Sequence, residues 1–481
     1  MGRRKRSGET GGRVGARKQH GRVRGRRRAL VWTLVSVIVL ALIASSASFV
    51  AFRMDSADDL PAGVPPRPAP ITATPAINPV STQAPQPTAD GVTRQIAAAA
   101  RAPQLGEFTG QVSDSLTGAI LWSKSPNTPR VPASNTKILT AAAALLGLPH
   151  DARLTTSVVV GSDGQVIVKG AGDPTLSAQP TRAQTFYTDP GRISDLAEQI
   201  RKSGVTVTSV AVDTSAFSGP TMDSSWSRAD IAGGDIAPIE SLMTDGARID
   251  ALNEYSPRVD DPAITAGEQL AKALDVDAPV RSVTAPAGAR TIASVRSAPL
   301  VTRVNDMLRY SDNVLAEALG IELSVARGGP ATLAGGTSAV TQTLADNKFD
   351  VADVTLRDTS GLSYRNLVPA ALLDKLMASA SGPTGADQPV DTKIRPMLDG
   401  LPVAGGTGTL ADRFTVGENP GAGWVRAKTG TLTGVSSLTG IVQTVDGRVL
   451  SFALISGGTS PADARPALDA VAGKLRECGC R

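Results

Sequence analysis

Ser134–Leu148 reads SNTKILTAAAALLGL: four polar or basic residues running directly into an Ala/Leu stretch without a charge. Alanine and leucine are strong helix formers, so the stretch predicts a short helix whose apolar run is buried. Residues three apart share a helical face, which puts the Lys137 ammonium within reach of the Ser134 hydroxyl. At a helix start the free N–H groups and the dipole favour negative charge on that oxygen. A neutral lysine can take the serine proton if desolvation or a nearby positive charge lowers its pKa. The plainer alternative is a capping serine followed by an exposed lysine.

Two further short stretches bear on that choice. Ser311-Asp312-Asn313 falls where a helical pattern over Leu300–Ala326 is interrupted. There Ser311 could relay a proton to a leaving amine, and the Asn313 amide could orient a substrate carbonyl or Lys137. Ser, Asp and Asn are also ordinary helix caps. Lys428-Thr429-Gly430-Thr431 enters the C-terminal strand pattern. Lys428 supplies positive charge, and Gly430 lets a substrate backbone approach closely. Thr431 can bond a carboxylate, and its N–H with that of Ser134 could form an oxyanion hole. The bland reading is a glycine-bearing strand start with a solvated lysine.

Strand signals sit at both ends of the folded part. Phe108–Asp114 and Ala119–Ser123 flank a hairpin turn at Ser115–Gly118, and Ser436–Thr444 and Arg448–Ile455 flank Asp446-Gly447. Pro461–Leu475 reads as a helix. The fold expectation is therefore α/β (α+β): an antiparallel sheet from both chain ends flanked by helices. Residues 96–150 and 296–481 would form this domain. Between them, 151–295 mixes strand-like runs (Thr155–Val160, Gln165–Lys169, Val205–Val212) with a helical Ile193–Lys202, and reads as an inserted accessory domain.

Composition removes several classes of chemistry. The chain has two histidines, His20 and His150, and two cysteines, Cys478 and Cys480. His20 lies in a basic tail, so a Ser-His-Asp triad would rest on His150 alone, and a multi-His metal site is nearly excluded. A cysteine nucleophile would have to sit at the far C-terminus. Cys478 and Cys480 are left as a disulfide, an intermolecular link or idle thiols. No metal or other cofactor is expected.

The net charge of +5 is carried by one segment: residues 1–28 contribute about +11, leaving about −6 for the rest. Nucleic-acid binding is not implied. Residues 29–52 (ALVWTLVSVIVLALIASSASFVAF) carry no charge and are long enough for a transmembrane helix. The arginines before them keep 1–28 as a basic cytoplasmic tail and send the body outside the cell membrane. A cleaved signal peptide, with a secreted product, is the rival reading. Residues 53–95, rich in Pro, Ala and Thr over Pro61–Asp90, read as a linker.

The three short stretches, in this order, resemble the serine β-lactamase and penicillin-binding superfamily. Within it the chain resembles the class C low-molecular-mass penicillin-binding proteins, the D-alanyl-D-alanine carboxypeptidase/endopeptidase group, from about Gln104 to Ser456. The gap of 177 residues from Ser134 to Ser311 carries this resemblance. So do Gly170–Leu176 (GAGDPTL), Arg357–Ser363 (RDTSGLS) and Leu401–Gly405 (LPVAG) ahead of Thr409-Leu410. The insert is short for that group, and the anchor and linker are not universal in it. The resemblance implies a β-lactamase/transpeptidase-like domain acting on peptidoglycan stem peptides through an acyl-enzyme, and acylation by β-lactam antibiotics. Ser134 would be the nucleophile and Lys137 the base. Ser311, Asn313 and Lys428 would assist, and Thr429, Gly430 and Thr431 would bind substrate. Asp358 and Ser360 would line the cleft rim, and the glycines of the quoted stretches would serve turns and close packing. A β-lactamase, or a non-catalytic cell-wall peptide-binding protein, is the alternative.

Overall fold

A computed structural model describes residues 83–383, 389–415, 417 and 419–481. The expected tail, membrane span and most of the linker lie outside these residues. Among the described residues no helix is long and apolar enough to cross a membrane.

The central sheet is antiparallel throughout, in the order β2-β1-β10-β9-β8. Its strands are β1 (Thr109–Asp114), β2 (Ile120–Lys124), β8 (Val425–Leu432), β9 (Val435–Gln443) and β10 (Val449–Gly457). Asp446-Gly447 lies in the β9–β10 turn, where Gly447 adopts a positive φ of 84° that a glycine takes without strain. Alternation along β10 decides the layering. Phe452 and Leu454 face a core shared with α1 (Ala89–Ile96) and α11 (Pro461–Arg476), whereas Ala453 and Ile455 face the helices on the other side.

The expected linker ends earlier than residue 95. Val92 and Ile96, four apart on α1, are fully buried against Leu468, Val471 and Leu475 of α11. Thr88 caps this helix through a bond from Gly91 N. One amphipathic turn among polar neighbours is too short a signal to stand out in a Pro/Ala/Thr-rich stretch.

On the opposite face, α2 (Thr136–Gly147) is buried from Thr136 to Leu146, as its uncharged run demands. It is surrounded by α6 (Leu300–Tyr310), α7 (Asn313–Ala326), α8 (Leu333–Asp346) and α9 (Ala370–Ser381). The short α10 (Pro389–Ile394) closes the end of this layer.

A second sheet, β6-β5-β4-β3-β7, has its own core. It comprises β3 (Thr155–Val160), β4 (Gln165–Lys169), β5 (Ser209–Asp213), β6 (Arg281–Ser282) and β7 (Thr291–Arg296). β7, β3 and β4 are antiparallel, while β4–β5 and β5–β6 are parallel. Parallel neighbours need crossovers, supplied by α3 (Ile193–Lys202) and by a segment containing α4 (Ala229–Gly233) and α5 (Pro262–Ala273). The strand expected over Val205–Val212 starts only at Ser209, because Val205 and Val207 are half-buried against this core before the ladder begins. The glycines of Gly170–Leu176 pack as expected: a Cβ on Gly170 would meet the Ser241 backbone at 2.2 Å.

The stretch between β5 and α5 does not stay with its sheet. Trp226, Ile236, Ile239 and Met243 pack against Val314 and Ile321 of α7. This strap brings the middle of the insert beside the α6–α7 junction.

The helix layer is pinned to the sheet by one carboxylate. Asp374 of α9 is fully buried and accepts from Gln111 Nε2 at 2.9 Å, Ser113 Oγ at 2.5 Å and Ser451 Oγ at 2.7 Å. Asp374→Ala would strand three buried donors. The expected loss is about 2–4 kcal/mol of unfolding free energy, read from the urea midpoint at unchanged slope. A loss below about 0.5 kcal/mol would show that these bonds do not hold the layers together.

Candidate active site

Ser134 sits in a single 3-10 turn, Ala133–Asn135, that feeds α2. Ala133 has φ +48°, an uncommon conformation for a residue with a Cβ. Three contacts hold the turn in place. Asn135 Nδ2 donates to Thr439 Oγ1 at 2.8 Å, Ser437 Oγ donates to Pro132 O at 2.6 Å, and Thr136 Oγ1 donates to Ala133 O at 3.0 Å. Gly361 abuts the same turn so closely that a Cβ would lie 1.9 Å from Ala133 O.

Lys137, one helical turn on, is fully buried. Its Nζ donates to Ser134 Oγ at 3.2 Å, Asn313 Oδ1 at 2.5 Å and Ser360 O at 2.6 Å. The sequence expectation that Lys137 faces Ser134 therefore holds, and Asn313 orients the lysine. The other end of the Asn313 amide donates to Asp235 O at 2.9 Å.

Ser311 ends α6 with φ +56°, Asp312 caps α7, and Asn313 begins it. Capping and site geometry thus coexist in one tripeptide. The Asp312 carboxylate accepts from Leu315 N at 2.8 Å, Arg248 Nη2 at 2.7 Å and the Tyr187 hydroxyl at 2.8 Å. Opposite, Lys428 on the edge strand β8 donates to Ser311 Oγ at 2.8 Å and Thr429 O at 2.7 Å. Thr429 Oγ1 lies 2.7 Å from Thr409 Oγ1, and Thr431 Oγ1 accepts from Arg465 Nε at 3.2 Å.

Three placements, those of Gly430, Asp358 and Ser360, correct the expectations. A Cβ on Gly430 would point at Ser437 Oγ (2.2 Å) and Pro132 O (2.6 Å), so the glycine serves the packing of β8 under the Ser134 turn. Asp358 is fully buried below the cleft rather than at its rim. Its carboxylate accepts from Gly361 N, Ser363 N, Asn366 Nδ2 and Trp226 Nε1. Ser360 likewise acts through its buried carbonyl. Both are drawn inward because the 358–363 loop must wrap a carboxylate with donors while aiming one C=O at Lys137.

Burial dominates the electrostatics. It lowers the Lys137 ammonium from 10.5 to about 8, against the raising influence of Asp358, Asp312 and Glu317. Burial, and then the positive charge of Lys137, hold Lys428 well below its ordinary value. Burial also pushes Glu317 up to about 7, with Asp358 adding to the rise. For Asp312 burial acts upward, but Arg248, Arg258 and the Leu315 N–H outweigh it and leave the carboxyl well below its usual range.

Ser134, Ser311, Asn313, Thr409 and Thr431 open onto one cleft of about 650 Å³. His150 is not part of it: its Nε2 lies 3.1 Å from Leu145 O, near the far end of α2. Cys478 and Cys480 are joined to each other. Among the described residues no cluster of His, Cys, Asp or Glu is arranged to hold a metal ion.

Sequence reading missed the contributions of the insert: Arg248 and Tyr187 on Asp312, Asp235 on Asn313, and Trp226 on Asp358. None belongs to a short motif, and each contact joins residues 64 to 132 positions apart. Arg465 was also missed, and Thr409, quoted with the resemblance, was given no role.

A family profile described as D-Ala-D-Ala carboxypeptidase 3 (S13) matches residues 92–256 and 250–478. The Mycobacterium tuberculosis protein named carboxypeptidase Rv3627c is 50% identical over 423 residues, covering 86% of this chain and 90% of its own length. Carboxypeptidase DacB of Mycolicibacterium smegmatis is 46% identical over 457 residues, covering 94% and 97%. Among solved structures, penicillin binding protein 4 (dacB) from Haemophilus influenzae superposes with a TM-score of 0.63 at 20% identity, over 80% of this chain and 98% of that one. Its complex with a β-lactam superposes at 0.59 and 19% identity, with the same coverage.

Proposed function

The chain belongs to the D-Ala-D-Ala carboxypeptidase 3 (S13) family, and we infer that its cleft is where Ser134 carries out that chemistry. It is a serine-type D-alanyl-D-alanine carboxypeptidase of the penicillin-binding superfamily. The observation that carries the site assignment is the Lys137 ammonium, which bonds Ser134, Asn313 and the 360 carbonyl at once.

The reaction is acyl transfer. At pH 7 a lysine with a pKa of about 8 is neutral about one time in ten, enough to act as base. Lys137 takes the Ser134 proton as Oγ attacks the carbonyl of the penultimate D-Ala of a stem peptide. The N–H groups of Ser134 and Thr431 receive the developing oxyanion. As the tetrahedral carbon collapses, Ser311, backed by Lys428, delivers a proton to the nitrogen of the departing D-Ala. Thr429 and Thr431 hold its carboxylate. Water then attacks the acyl-enzyme, giving its proton through Ser311 to Lys428, while Lys137 returns its proton to Ser134 Oγ and the shortened peptide leaves. The same steps open a cross-link when the scissile bond joins two stem peptides, which is the endopeptidase activity we propose beside the first. β-Lactams would acylate the same serine; the β-lactam complex of the Haemophilus protein supports this reading.

The body is proposed to work outside the cell membrane, carried by the apolar segment 29–52 with residues 1–28 in the cytoplasm. The full chain should fractionate with membranes and resist carbonate extraction, and deletion of 29–52 should release it. Recovery of a shortened, soluble protein from the medium would replace the anchor with a cleaved signal.

Full-length protein should label covalently with fluorescent penicillin, and Ser134→Ala should not. The wild type should release free D-Ala from a D-Ala-D-Ala pentapeptide. Folded wild-type protein that takes no label would end the serine-enzyme reading, and rapid nitrocefin turnover would make it a β-lactamase.

Because the neutral form of Lys137 is the base, the acylation rate should rise about tenfold per pH unit below about 8 and level off above it. Stopped-flow acylation between pH 5 and 9.5 reads this directly. A rate independent of pH from 6 to 9 would remove Lys137 as the base.

A further inference from the structure

Three arginines line the cleft: Arg248, Arg258 and Arg465. Two are built into its wall. Arg248 is buried and bonded to the Asp312 carboxylate, the Tyr187 hydroxyl and Asp245 O. Arg258 is buried and bonded to Gly234 O and Gly246 O. Lys428 is likewise committed to Ser311 and Thr429.

Arg465 differs from all three. It stands on the first turns of α11, is exposed, and reaches across to β8, where its Nε donates to Thr431 Oγ1 at 3.2 Å. Among the described residues it forms no ion pair. The nearby Asp469 is bonded at both oxygens by Arg413 instead. Arg465 thus lines the cleft with no carboxylate bonded to it, beside the threonine assigned to the substrate carboxylate. A guanidinium presents a planar fork that suits a carboxylate.

We propose that Arg465 is a specificity-determining residue whose guanidinium, together with Thr431, receives the terminal carboxylate of the departing D-amino acid. This rests on the serine-carboxypeptidase reading above. Arg465 would set how strongly the enzyme prefers a free chain end over a leaving group whose carboxylate is masked or displaced, as in a cross-link. The charge would act mainly on binding, since the carboxylate is present before and during acyl transfer alike.

A pair of thioesters isolates the effect: an acyl-D-alanyl thioglycolate, whose leaving group carries a carboxylate, and its methyl ester, whose leaving group does not. In the full-length protein the ratio of kcat/KM for the charged over the neutral thioester should fall about ten- to a hundredfold in Arg465→Ala, mostly through KM. Arg465→Gln, which keeps a donor for Thr431 but removes the charge, should fall nearly as far. Arg465→Lys should recover part of the ratio. An unchanged ratio overturns the proposal, whether both rates hold or both drop together, since a residue that merely props Thr431 would affect the two esters alike. If the wild-type protein cleaves neither thioester and takes no penicillin, the serine reading itself has failed, and this assignment falls with it. Wild-type turnover with an unchanged ratio removes Arg465 alone.

Discussion

The ammonium of Lys137 is shut away from water, and an ion so placed has to be surrounded by oxygens that the chain itself supplies. Three are in contact, from Ser134 one helical turn back, Asn313 at the start of α7, and the 360 carbonyl. Each must be held still. The Ser134 turn is clamped by β9 and Thr136, Asn313 is fixed at its far end by the 235 carbonyl, and Ser360 is gripped through its N–H by Glu317 at 2.8 Å. Much of the architecture can be read as the means of bringing these segments to one nitrogen. Burial lowers the pKa; the surrounding carboxylates keep it from falling further.

The second lysine obeys the same logic from the other side. Lys428 is buried on an edge strand with Ser311 and its neighbour's carbonyl as acceptors, and after burial the charge of Lys137 further disfavours its own. Ser134 and Ser311 therefore each have their own lysine. Both serines depend on unusual backbone at or beside them, Ala133 and Ser311 having positive φ without being glycine. Conformations of that kind persist only where the surroundings over-determine them, and here the surroundings are the clamps just described.

How much of this the sequence discloses depends on the range of the interaction. The strands at both chain ends announce themselves by alternation and by the Asp446-Gly447 turn, and α2 by its uncharged Ala/Leu run. Ser134 and Lys137 are legible because three residues of helix fix their distance. The grouping of Ser134, Ser311 and Lys428 was legible only as a resemblance; nothing local says that residues so far apart meet. Buried donors and acceptors are less legible still. Asp358 looks like a loop acid until four donors are seen around it. Gly430 looks like room for a ligand until Pro132 is found behind it. The strap between β5 and α5 offers almost no periodicity, so its partners were invisible.

That strap bears on how separable the parts of this protein are. Asp235, Arg248 and Trp226 close a hydrogen bond on Asn313, an ion pair on Asp312 and an indole contact on Asp358. Excising residues 151–295 and rejoining the chain would leave Asp312 a buried anion with its Arg248 partner gone, a change that costs about 3–5 kcal/mol at comparable sites. The unit from which the site could be transplanted is thus larger than the sheet-and-helix body that carries Ser134. A chimera that swaps inserts between relatives would have to exchange Tyr187, Arg248 and Asp312 as a set.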